Sequence, residues 1–147
     1  MDDFYATIQG QAYFALFEKK AHEMIASGTT VEQLNAIYLD NLHDQFGEVV
    51  NVSDEFKWEW VSIPHIFATP FYVYAYTFGQ LLVLSLYKKY KEEGKKFIPQ
   101  YKQILSAGGS KSPEDILADA GFNFYDPAFW QGGFDFLTEK MMEIERN

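Results

Sequence analysis

A histidine and three tyrosines stand close together in the segment IPHIFATPFYVYAYTFGQ, residues 63–80. The histidine is His65, and the tyrosines are Tyr72, Tyr74 and Tyr76. An imidazole and phenols that converge on one cavity can donate hydrogen bonds to an oxyanion that develops during a reaction. On a helix, Tyr72 and Tyr76 share one face, and Tyr74 lies roughly 160° round from them. His65 precedes that helix on a bend and can fold back toward the first face, so the spacing groups it with Tyr72 and Tyr76.

The same segment has two other interpretations. Tyrosines are common in buried helices, where each hydroxyl bonds a neighbouring group. A membrane span is the second alternative, because His65 and the tyrosines are the only ionisable groups between Glu59 and Lys88. A spanning helix needs about 20 apolar residues, and Pro64 and Pro70 interrupt the run. The prolines therefore favour a buried helix of a soluble protein.

The three histidines do not form a recognisable metal site. The stretch HEMIA, residues 22–26, begins like the zinc motif H-E-x-x-H, which needs two imidazoles one helical turn apart. Position 26 is Ala26, so the second ligand is missing. His22, His43 and His65 are widely spaced. We therefore expect no metal site in this chain alone.

Helical patterns occupy nearly the whole sequence, and they predict an all-α fold of about six helices. The residue before a proline avoids the α-helical region, so residues 64–69 are expected to form a bent connection. Pro70 is expected in the first turn of the next helix, where its missing N–H costs nothing. The predicted helical ranges are 4–27, 30–46, 54–63, 70–93, 95–107, 112–120 and 127–145.

Polar side chains mark where several helices begin. Thr29 and Glu32 form a T-x-x-E capping box, and Ser112 with Asp115 forms a second box. Asp126 precedes the last helix in the same manner. The glycines expected to end helices are Gly28, Gly47, Gly94 and Gly121. Gly132 and Gly133 are expected to break or kink the last helix.

Composition and charge narrow the possible functions. The 147 residues suit a single all-helical domain or subdomain over residues 1–147. A net charge of −9 argues against binding to nucleic acid. The chain has no cysteine, which excludes disulfides and thiolate metal sites. Its start, with Asp2 and Asp3, lacks the basic region of a signal peptide, so we expect a cytoplasmic location.

Aromatic residues are more numerous than a small core requires. They make up 18% of the chain, with 14 Phe and 10 Tyr. Such a load predicts a large apolar surface that contacts another molecule. We expect the isolated chain to self-associate through this surface.

Three blocks of the sequence resemble a known family. They are FALFEKKAHEMI at 14–25, WVSIPHIFATPFYVYAYTFG at 60–79 and GGSKSPEDILADAGF at 108–122. In this order and spacing they resemble the C-terminal part of oligoendopeptidase F, a zinc metallopeptidase related to thimet oligopeptidase. The resemblance covers nearly the whole chain.

The resemblance implies an all-helical enzyme with a deep channel that cleaves short peptides. It implies that His65, Tyr72 and Tyr76 face the zinc from the other side of the cleft and stabilise the tetrahedral intermediate. It also implies that Tyr74, Gly108 and Gly109 bind substrate.

One departure from the family pattern is large. Zinc in the family is held by H-E-x-x-H and a downstream glutamate, and this chain contains no H-E-x-x-H. The resemblance therefore implies a fragment that is inactive alone, binds no zinc alone and works with a missing N-terminal zinc-binding portion. The alternative is a non-catalytic helical binding or assembly module derived from the same scaffold.

Overall fold

The computed structural model of the chain describes residues 2–146, and every regular element in this range is helical. The all-α prediction is confirmed. Two short α-helices have no predicted counterpart of their own, one at the start of the described residues and one between the two prolines. The α-helices are α1 (Asp2–Phe4), α2 (Gln11–Ile25), α3 (Val31–Phe46), α4 (Pro64–Ala68), α5 (Tyr74–Glu93), α6 (Ile98–Ala107), α7 (Pro113–Asp119) and α8 (Pro127–Glu145). A π-helix covers Tyr5–Gly10, and 3₁₀-helices cover Asp54–Ser62 and Gly94–Phe97.

The chain forms two compact units, one within Met1–Phe78 and one within Gly79–Asn147. Helix α5 begins in the first unit and ends in the second. The expectation of one domain over residues 1–147 stays a prediction.

The core of the first unit joins α2 to α3. Phe17 of α2 meets Tyr38 of α3 edge to face, with ring centroids 4.8 Å apart. Both side chains are buried, because they lie on the apolar stripes that helical periodicity predicts. The 3₁₀-helix at Asp54–Ser62 is hydrogen-bonded to α3, where Trp60 Nε1 donates to Asn35 Oδ1 at 2.8 Å. The other buried members of this core are Ala21, Leu34, Leu42 and Val52.

One predicted capping box is displaced by one residue. The N-cap of α3 is Thr30, not Thr29. Its Oγ1 accepts from the Gln33 N–H at 3.3 Å, and its own N–H donates to Gln33 Oε1 at 2.8 Å. The sequence offers both T-x-x-E and T-x-x-Q, and the second register wins because Gln33 also accepts from the Thr29 hydroxyl.

The boundaries after Ser62 also differ from the prediction. Residues 64–68 form helix α4, with Pro64 in its first turn, where a bent connection was expected. Pro70 is not in the first turn of the next helix, since α5 begins only at Tyr74. The cause is Phe71, whose φ of 61° interrupts the helical path. A phenylalanine rarely adopts this left-handed conformation, so the local sequence carries no sign of it.

Other helix ends follow the prediction. Ser112 Oγ accepts from the Asp115 N–H at 3.2 Å, which caps α7. Asp126 caps α8 by accepting from the Ala128 N–H at 3.0 Å. Helix α5 ends directly before Gly94, whose positive φ of 62° few other residues would adopt.

Gly132 and Gly133 do not break helix α8, contrary to expectation. Gly133 instead allows α8 to approach α5 within the second unit. A Cβ atom at this position would lie 3.0 Å from Ser85 Oγ and 3.1 Å from the Leu81 carbonyl oxygen. The missing side chain at Gly133 therefore allows the two helices to pack closely at this point.

Replacing Gly133 with alanine should destabilise the second unit. Overpacking costs about 1–3 kcal/mol, against a helix-propensity gain of about 1 kcal/mol. The contact with a backbone carbonyl cannot be relieved by a side-chain rotation, which places the overpacking cost at about 2–3 kcal/mol, the upper part of that range. After the propensity gain we expect a net loss of about 1–2 kcal/mol. Urea denaturation followed by circular dichroism measures this loss.

Gly132→Ala is the matched control. A Cβ atom at Gly132 would meet the Lys88 side chain, at 3.6 Å from Cγ and 3.8 Å from Cβ, which are ordinary contacts. We expect Gly132→Ala to raise stability by up to about 1 kcal/mol, the gain in helix propensity. Equal midpoints for the two variants would contradict the close-packing explanation.

The buried Tyr38 makes the first unit sensitive to alkaline pH. Its hydroxyl donates to Glu59 Oε2 at 2.8 Å. Burial, together with this hydrogen bond to the Glu59 carboxylate, raises the pKa of Tyr38 far above its usual value near 10. The native state thus keeps a proton that the unfolded chain releases above pH 10.

The contribution of Tyr38 to the free energy of unfolding has its full value below pH 10 and falls by about 1.4 kcal/mol per pH unit above pH 10. Tyr38→Phe cannot ionise, so it removes this fall, at a cost of about 1 kcal/mol for the lost hydrogen bond. We expect the stability difference between the two proteins to shrink or reverse from pH 8 to pH 11. Urea midpoints at both pH values test this, and a constant difference would contradict it.

Candidate functional site

Three of the predicted site residues form one cluster of rings in the first unit. His65 lies in α4, Tyr72 lies between α4 and α5, and Tyr76 lies in the first turn of α5. The His65 and Tyr72 rings are nearly parallel, with centroids 5.8 Å apart. Tyr76 stands perpendicular to both, at 5.8 Å from His65 and 5.4 Å from Tyr72. The structure therefore brings together the three residues that the sequence grouped.

A hydrogen bond links the imidazole to one phenol. Tyr76 Oη and His65 Nε2 are 3.2 Å apart. If Nε2 is unprotonated, the Tyr76 hydroxyl donates to it. If Nε2 carries a proton, the ring nitrogen donates, and the phenolic O–H is free to donate to another group. Only the second state leaves the Tyr76 O–H free to donate to a bound ligand.

The cluster is open to solvent. Tyr72 is 44% exposed and Tyr76 is 38% exposed, whereas His65 is half-buried. Ring contacts on the inner side hold the orientation, while the outer sides of the tyrosines remain accessible. The ring orientations are therefore partly fixed, and the tyrosine hydroxyls can bind a polar ligand without a conformational change.

Tyr74 stands apart from this cluster. It is the first residue of α5 and is 59% exposed. The reason differs from the one that the sequence suggested, because Tyr72 precedes α5 and does not share a helical face with Tyr76. The turn at residues 69–71 brings Tyr72 against His65 instead.

Gly108 and Gly109 lie in the second unit, in the turn that follows α6. Gly108 has a positive φ of 52°. An added Cβ would meet no atom within 4 Å at either glycine.

Sequence reasoning missed Glu18 of α2, which is completely buried. Its Oε1 accepts a hydrogen bond of 2.6 Å from the Phe71 N–H, in the turn between His65 and Tyr72. The ring of His22, one helical turn along α2, lies 4.6 Å from the Phe71 ring. A signal was present: Glu18 is one residue from Phe17 and three from Ala21, so a charge falls on the buried stripe.

The described residues do not fit a zinc site. Within residues 2–146 no three histidine, aspartate or glutamate side chains lie close enough together to hold a metal ion. His65 Nε2, the imidazole atom in the candidate cluster, is already engaged with Tyr76. No helix in the described range is both long and apolar enough to cross a bilayer.

Comparison with known proteins identifies the family. Peptidase family M3 matches residues 2–136. The chain therefore belongs to peptidase family M3.

Individual relatives agree with this assignment. An oligoendopeptidase F homologue of Borreliella burgdorferi is 34% identical over 99% of this chain and 25% of its own length. The oligopeptidase PepF of Bacillus subtilis is 31% identical over 99% of this chain and 22% of its own length. The chain thus spans about a quarter of the length of these relatives, as the predicted resemblance to part of oligoendopeptidase F requires.

A solved structure shows the same fold. A crystal structure of a protein from Chlamydophila abortus that has been assigned as a peptidase matches 97% of this chain and 24% of its own chain. The TM-score is 0.87 at 29% sequence identity. The helical arrangement is therefore one found within a longer protein.

Proposed function

We propose that this chain supplies the substrate-binding and transition-state-stabilising side of a zinc-dependent oligoendopeptidase that hydrolyses short peptides. The observation that carries the proposal is the cluster of His65, Tyr72 and Tyr76. Membership of peptidase family M3 supports peptide hydrolysis as the reaction. We place this activity in the cytoplasm.

The cluster offers hydrogen bonds to a developing negative charge. Peptide hydrolysis passes through a tetrahedral intermediate whose oxygen is anionic, and donors aimed at that oxygen lower the barrier. With a proton on His65 Nε2, the imidazole donates to Tyr76 and turns the Tyr76 O–H outward. The exposed Tyr72 hydroxyl can act beside it. The rings are packed together before substrate arrives, so little reorganisation is needed.

Substrate binding extends beyond the cluster in this proposal. Tyr74 presents a solvent-exposed phenol at the start of α5. Gly108 and Gly109 have open space where a side chain would stand, which lets a peptide backbone approach closely. We assign these three residues to binding and not to the chemical step.

The chain does not hydrolyse peptides alone in this proposal. A zinc ion in such enzymes activates water and polarises the scissile carbonyl. The described residues offer no ligand set for it. We therefore place the zinc in the portion of the relatives that this chain does not cover.

An apolar groove in the second unit is the surface that we assign to that zinc-binding portion. The groove has a volume of about 520 Å³ and is lined by apolar and tyrosine side chains of α5, α6 and the 3₁₀-helix between them. Val83 and Leu105 are more than half exposed there. Three quarters of each relative's length lies outside the match, which provides ample chain to cover such a surface.

Reconstitution tests whether this chain and a separate zinc-binding portion are both required for hydrolysis. The chain with zinc and a quenched fluorescent oligopeptide should show no turnover. Co-expression with the remaining portion of the Bacillus subtilis relative should give a complex whose turnover is abolished by EDTA. Turnover by the chain alone would contradict the proposal. A stable complex without turnover, or self-association of the chain in place of a complex, would favour a non-catalytic binding or assembly module.

Single hydroxyl deletions test the donor roles in the reconstituted enzyme. Loss of one oxyanion donor lowers kcat by about 10²–10³-fold, and we expect this for Tyr76→Phe and for Tyr72→Phe. Tyr74→Phe should raise KM and leave kcat nearly unchanged, because Tyr74 is assigned to binding. Tyr13→Phe, which removes an exposed hydroxyl that contacts Asp44, is the matched control. A kcat for Tyr76→Phe equal to that of the control would remove Tyr76 from the assigned role.

A further inference from the structure

Glu18 is an ionisable side chain in a place where ionisable side chains are costly. It is fully buried on α2, beside Phe17 of the core. Its Oε2 is also buried and has no hydrogen-bond partner within residues 2–146. A buried polar atom without a partner destabilises a fold, and a charged one does so more strongly. A methionine would fill the same space without this cost, so the carboxylate needs a local reason.

The one hydrogen bond that the Glu18 side chain makes within residues 2–146 goes to an unusual residue. Phe71 has a φ of 61° and lies in the left-handed region that side-chain-bearing residues rarely adopt. Its N–H lies outside the hydrogen-bonding pattern of both α4 and α5. Glu18 Oε1 accepts from it at 2.6 Å, a short distance typical of bonds to a charged acceptor.

The position of Phe71 connects this bond to the ring cluster. Phe71 directly precedes Tyr72, and the turn that contains it is the connection from α4, which carries His65. The parallel contact between the His65 and Tyr72 rings therefore depends on the path of this turn. A helical path through Phe71 would send Tyr72 in a different direction.

We infer that Glu18 is a positioning residue: its buried carboxylate clamps the strained turn at Phe71 and thereby holds Tyr72 against His65. The inference rests on the proposed function for its catalytic consequence, but the positioning itself is a property of this chain. Glu18 does not touch the substrate. It acts through the Phe71 N–H alone.

The inference is tested on the 147-residue chain by NMR. Glu18→Met removes the acceptor and keeps the volume, so we expect the nuclear Overhauser contacts between the His65 and Tyr72 rings to disappear. Contacts between Phe17 and Tyr38 report on the core and should persist. Glu18→Gln keeps an oxygen that can accept from Phe71 and should retain both sets. Glu23→Met, an exposed glutamate on the same helix, is the matched control and should change neither set.

Two outcomes would overturn the inference. Retention of the His65–Tyr72 contacts in Glu18→Met would show that the turn holds without the clamp. Loss of the Phe17–Tyr38 contacts together with them would assign Glu18 to the core as a whole. A third variant, Glu18→Met with Phe71→Gly, should recover part of the ring contacts, because glycine adopts a positive φ without a clamp.

The reconstituted enzyme supplies a separate readout. Glu18→Met should lower kcat by about 10²-fold, since small misplacements of catalytic groups have effects of this size. Glu18→Gln should retain most of the activity. If no reconstituted enzyme turns over, the proposed function fails, and the NMR contacts still decide whether Glu18 positions the turn.

Discussion

The hydrogen bond from the Phe71 N–H to the buried carboxylate of Glu18 connects the core of the first unit to its candidate site. Helix α2 is fixed by the contact between Phe17 and Tyr38, and Glu18 follows Phe17 directly. A left-handed non-glycine residue costs on the order of 1–3 kcal/mol and persists only where its surroundings enforce it. The core therefore supports a local conformation that the residues of the turn would not adopt by themselves.

The candidate site follows from this constraint. His65 lies before the turn and Tyr72 directly after it, and Tyr76 closes the cluster from α5. The rings hold one another by stacking and by the bond between His65 and Tyr76, while their outer sides face solvent. Such a surface can supply hydrogen-bond donors. Within residues 2–146, no three histidine, aspartate or glutamate side chains lie close enough together to hold a metal ion.

Much of the fold could be predicted because its signals are local. Apolar periodicity placed most of the helices, and Ser112 and Asp126 cap the helices that follow them, as their side-chain chemistry requires. The errors arose where two local signals competed or where a distant contact intervened. Thr30 replaced Thr29 as a cap because both registers were open, and Gly133 serves close packing against Ser85, which helix periodicity does not report.

Residue type and spacing along the chain are enough to predict the helical class. The sequence also predicted the grouping of His65 with Tyr72 and Tyr76, but through a helical face shared by the two tyrosines, and Tyr72 lies before α5. The sequence also carried the family resemblance that the comparisons bear out. How those rings meet depends on the tertiary structure. The φ of Phe71 and the burial of Glu18 depend on an interaction between residues 53 positions apart. Local propensities reflect only neighbouring residues, so they do not report such a contact.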